Sequence, residues 1–127
     1  MKKQLLISLI AIFIVSAYAI LHIGSPKAAP DTDTGSVSYA KDVRPILESR
    51  CKKCHMGEHV SEGLDMNTYE SLLKGSQNGP VIDPGNAAGS LLIQKLLEGK
   101  MPKRGPKLTP IQIQIITDWI NAGALNN

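Results

Sequence analysis

A chain of 127 residues has room for one small domain, and its charge excludes some roles for it. The formal charge of +3 comes entirely from Lys2, Lys3 and Lys27; residues 31–127 carry 11 basic and 11 acidic side chains, so no basic domain points to nucleic acid. From Ser38 onward there are one Trp, two Tyr and no Phe, which leaves so short a stretch poor in core material unless something else fills it.

The N-terminal segment differs in kind from the rest. Met1-Lys2-Lys3 leads into "LLISLIAIFIVSAYAILHI", with no charged residue from Gln4 to Ser25. Such a run is long enough to cross a bilayer as a helix, and the two lysines put its start in the cytoplasm and the remainder of the chain outside. Ala17-Tyr18-Ala19 offers a signal-peptide cleavage pattern, whereas Ile20, Leu21 and Ile23 extend the apolar run as an anchor does. Residues 1–23 therefore read as a transmembrane anchor or signal peptide. Either way the expected location is the periplasm or the outer face of the cytoplasmic membrane. Residues 24–37, "GSPKAAPDTDTGSV", read as a flexible linker, and 38–127 as the folded domain.

Four helices and no strand-rich region are expected. The first spans about Val43 to Cys54, with Asp42 as N-cap and Pro45 in the first turn; Val43, Ile46, Leu47, Cys51 and Cys54 share a face, and Arg50 interrupts it and is expected to reach the surface. The second runs from Thr68 to Lys74 with Asn67 as cap and Glu70 at N3; the third from about Ala88 to Glu98, stopped by Gly99. The fourth opens on Thr109, Pro110 and Gln112, a capping box with proline at N1, and Gly123 comes just after its end. On it Ile111, Ile113, Ile115, Ile116, Trp119, Ile120 and Ala122 cover a wide arc that calls for burial against two surfaces.

Both cysteines fall in "RCKKCHMGEH". Cys51 and Cys54 lie a turn apart on one helix face, and His55 comes directly after them. C-x-x-C-H is the attachment signature of c-type haem: two thioethers hold the porphyrin and the histidine ligates its iron. A thioredoxin-like dithiol lacks its βαβ context here, and a zinc site lacks ligands beyond His59. A single haem also supplies the missing core and accounts for the wide apolar arc of the last helix. For the second axial position, His59 and Met56 sit too close in sequence to His55, and Met66 leads straight into a capped helix. Met101 lies on an irregular loop with Pro102 and Gly105, the usual place for a distal methionine in small cytochromes, and is the expected ligand.

The stretches "YAKDVRPILESRCKKCH", "GLDMNTYESLLKG", "VIDPGNAAGSLLIQKLLEGKMP" and "LTPIQIQIITDWINAGA" together resemble the class I cytochrome c domains of planctomycete type. The resemblance implies an all-α fold around one covalent haem c, His55 and Met101 as axial ligands, and a last helix packed on the first. Met56 and Lys103 stand where that family more often has Gly and a second Pro. The chain thus reads as an exported, membrane-tethered mono-haem electron carrier rather than an enzyme. A haem-based sensor of small ligands and a haem subunit of a larger oxidoreductase are the alternatives. Lys52, Lys53, Lys100, Lys103, Arg104 and Lys107 form a candidate basic rim for an acidic redox partner.

Overall fold

Four α-helices and the loops between them make up residues 36–127, which the computed structural model describes: α1 Arg44–His55, α2 Tyr69–Lys74, α3 Leu91–Leu97 and α4 Pro110–Asn121. The expected anchor or signal peptide at 1–23, and the 24–37 linker apart from its last two residues, lie outside the described residues. Among those described, no helix is long and apolar enough to cross a membrane, and the only β feature is an isolated bridge between Ser76 and Gly79.

The chain enters α1 through a single π-helical turn, Tyr39–Val43, in which Asp42 and Val43 N–H both donate to Ser38 O, at 2.9 and 3.2 Å. Asp42 does not cap α1, whose own N-cap, Val43, has no side-chain bond; the side-chain cap falls at Ser38, at the start of the π turn. The Ser38 hydroxyl accepts from Lys41 N–H, and the Asp42 carboxylate reaches back to accept from Ser38 N–H at 2.8 Å. The helix start is satisfied reciprocally, one turn earlier than expected.

For α2 the cap is Thr68, with Ser71 completing the box, one residue beyond the expected Asn67 and Glu70. Asn67 is engaged elsewhere: it accepts from Gly57 N–H at 2.9 Å and donates to Gly57 O at 3.0 Å. The third helix begins at Leu91 and not near Ala88. Asn86 takes Gly89 N–H on its side chain at 3.0 Å, and the Ser90 hydroxyl donates to Asn86 O at 3.0 Å while accepting from Asp83 N–H at 2.9 Å. These side-chain bonds hold 83–90 in turns that compete with helix. In α4 the Thr109–Gln112 box and Pro110 stand as expected.

The core gathers where the π turn, α1, α3 and α4 meet. Tyr39 packs edge-on to Tyr69, centroids 5.2 Å apart, and against Trp119 at 5.3 Å, so the domain's three aromatics form one cluster. Each such pair adds about 0.5–1.5 kcal/mol beyond burial. The Trp119 indole donates to Leu125 O at 2.8 Å and the Tyr69 hydroxyl to Ala124 O at 2.7 Å, which holds the segment after α4 across the cluster. The last helix packs on α3 and on the π turn that leads into α1. Its buried face is narrower than expected. Ile116, Trp119 and Ile120 are buried, but Ile113 and Ile115 are half-buried and Ile111 and Ala122 are exposed.

Gly75 ends α2 at φ 89° and ψ −155°, a region reserved to glycine, and a Cβ there would lie 2.4 Å from Gly79 O. Gly75→Ala should cost about 1–3 kcal/mol in backbone strain alone, with the clash added. Gly57→Ala, at φ 108° with open space around the new methyl, should cost less. Thermal unfolding of the two variants checks the order; equal losses would mean the Gly75–Gly79 approach is not constrained.

Candidate functional site

The motif Cys51–His55 forms the last turn and a half of α1, a helix that starts with Pro45 in its first turn. Val43, Ile46, Leu47 and Cys51 are buried along one side, whereas Cys54 is exposed. The two cysteines are not joined to each other, and burial, with Cys54 as the lesser cause, pushes the Cys51 thiol up to about 11, which disfavours its thiolate.

His55 closes the helix with its ring buried, and its Nδ1 lies 3.2 Å from Leu64 O. A carbonyl only accepts, so this bond assigns the proton to Nδ1 and leaves the Nε2 lone pair available to a metal. Met66 N–H donates to His55 O at 2.7 Å, so the segment 64–66 grips the histidine by ring and by main chain. Arg44 secures the same segment, donating to Met66 O at 3.2 Å and Asn67 O at 2.8 Å, while Glu48 at 2.7 Å orients its guanidinium. Nothing in residue type marks Leu64 as the partner of His55, because the group that acts is a backbone carbonyl.

Beside this motif opens a cavity of about 590 Å³, within the range of cofactor sites. One wall is α1 with Cys51, Cys54 and His55; others are Leu64, Met66 and Val81, the α3 residues Leu92 and Leu96, and the loop from Met101 to Pro106. A largely apolar space of this size, with two thiols and an imidazole carrying a free lone pair on one wall, fits a covalently attached haem. No residue of α4 lines it, which corrects the expectation that haem explains burial of that helix. Arg50 lines the cavity half-exposed, with its Nε buried and without a hydrogen-bond partner among the described residues.

Two methionines reach the cavity. Met66 is 1% exposed and belongs to the segment 64–66 that grips His55. Met101 is half-buried on the loop after α3, with its N–H donating to Lys95 O at 3.1 Å. Met56 packs against the core outside the lining, and His59 is exposed. Of the six candidate rim cations, Lys52, Lys53, Lys103 and Arg104 are exposed at the cavity, but Lys100 is paired with Glu98 at 2.9 Å and Lys107 donates to Pro102 O. Lys100 holds the exposed Glu98 carboxyl below the usual carboxylate range.

Comparison with known proteins agrees with this geometry. A curated relative, hydrazine synthase subunit alpha of Kuenenia stuttgartiensis, is 25% identical; the match takes in 70% of this chain and 15% of that protein. No solved structure matches the chain. Residues 51–105, which run from the first cysteine through the Met101 loop, match the family described as planctomycete cytochrome C. A cytochrome c domain implies haem c, and the matched stretch contains both cysteines and His55. Over those residues the chain is similar to planctomycete-type cytochrome c-like domains.

Proposed function

We propose that the domain is an exported mono-haem electron carrier, with haem held by Cys51 and Cys54 and its iron ligated by His55 and Met101. The observation that carries this reading is one cavity with both thiols and the free Nε2 of His55 on one wall and the Met101 loop on another. Haem c, when bound there, supplies a one-electron couple. The protein's part is to fix the group covalently, hold His55 in one tautomer through Leu64, keep water out with Leu92 and Leu96, and present a sulfur ligand that favours the reduced state. His55 and Met101 would both be given to holding the iron, and the haem would then supply electron transfer alone, which supports a carrier over an enzyme. Export is supported by the apolar run behind Lys2 and Lys3.

The relation to an enzyme subunit favours a second reading, in which the domain is a permanent haem subunit of an oxidoreductase. Native purification separates the two: a carrier elutes alone, a subunit with its complex.

The exposed cations at the cavity mouth are the proposed docking face for an acidic partner. Changing Lys103 and Arg104 to Glu should slow electron transfer to that partner by roughly ten-fold or more at low salt, with the difference fading as ionic strength rises. The check is a second-order rate constant against salt. A rate indifferent to both charge reversal and salt would make these residues an ordinary solvated face.

A further inference from the structure

We infer that Lys107 is the latch of the Met101 loop, a positioning residue for the distal sulfur; this rests on the reading of Met101 as an iron ligand. The near root of the loop is well held, since Lys100 and Met101 N–H both donate to Lys95 O, at 3.0 and 3.1 Å, at the end of α3. The far root is held too: Leu108 is buried, and Thr109 begins the capping box of α4. Between these roots, residues 102–108 make no backbone–backbone hydrogen bond among the described residues. Pro102 and Pro106 have no N–H to offer. Yet residues Met101 to Pro106 line the cavity, so an otherwise unsupported loop must stay closed over it.

One bond crosses the loop. The Lys107 ammonium donates to Pro102 O, joining the anchored far root to the carbonyl next to Met101. A charged donor makes this bond stronger than a neutral one, and its backbone position is set by Leu108 immediately after it. Without it the loop hangs from its two ends. The sulfur of Met101 then has more freedom to leave the iron, and an external ligand competes more easily.

The test is a titration of the ferric holoprotein with imidazole, monitored by loss of the near-infrared iron–sulfur band, together with amide exchange across residues 103–108. Lys107→Met keeps the aliphatic stem and removes the donor; Lys107→Arg keeps a donor; Lys103→Met removes a neighbouring charge that makes no such bond. Lys107→Met should bind imidazole about ten-fold more tightly than wild type and exchange faster in the loop, with Lys107→Arg and Lys103→Met close to wild type. A wild-type band with Lys107→Met unchanged overturns the latch alone. Equal effects of Lys107→Met and Lys103→Met overturn it in favour of general charge. A wild type that never shows the band overturns the ligation reading and the latch with it.

Discussion

A chain with Cys51 and Cys54 both replaced by serine is expected to carry no covalent haem and to lose most of its fold. The size of the cavity sets the size of this effect. Without haem, an apolar cavity of about 590 Å³ must either wet the side chains that line it or collapse, and each loses burial in a domain whose whole stability is only about 5–15 kcal/mol. The three aromatics do not compensate, because they cluster around Tyr39, away from the cavity lining. Haem staining after denaturing electrophoresis and near-ultraviolet circular dichroism give the readout. A soluble, well-folded, haem-free protein with intact tertiary signals would show that the domain builds its core without the group.

Met101→Ala should keep covalent haem, lose the iron–sulfur band, open the iron to carbon monoxide, and lower the potential by an appreciable fraction of the roughly 0.8 V over which axial ligands set it. Met66→Ala is the contrasting variant. Its side chain is fully buried, so truncation should cost about 2–5 kcal/mol in stability while leaving the band in place. The two methionines thus separate by readout, one spectroscopic and one thermal. A band lost in Met66→Ala and retained in Met101→Ala would reverse the assignment of the distal ligand.

The readable parts of this molecule are those written in local chemistry. Thr109, Pro110 and Gln112 announce α4 because a capping box needs only residues within one turn, and Cys51, Cys54 and His55 come together at one cavity because their spacing puts them on adjoining turns of one helix. Asp42 is legible as a group that caps, but not as the second half of a box begun at Ser38, because the π turn between them has no residue signature. Asn86 and Ser90 illustrate a different loss. Residues of this type prefer turns, and here their side-chain bonds delay α3 by a turn that apolar periodicity alone extends into. The orientations of Arg50, Ile111 and Ala122 are out of reach for a third reason. Which side of a helix meets a cavity and which meets solvent depends on neighbours distant in sequence, and α4 turns its apolar arc to α3 and the π turn, away from the cavity. The partner of His55 is hidden for the simplest reason: a main-chain carbonyl looks the same in every residue.

Mass spectrometry of the proteolytic peptide containing Cys51 and Cys54, taken from protein made with cytochrome maturation machinery, tests the central claim most directly. The peptide should be heavier than its sequence by one haem, with neither thiol open to alkylation. A peptide of bare sequence mass with two alkylatable thiols, or with the two cysteines joined to each other, would contradict it.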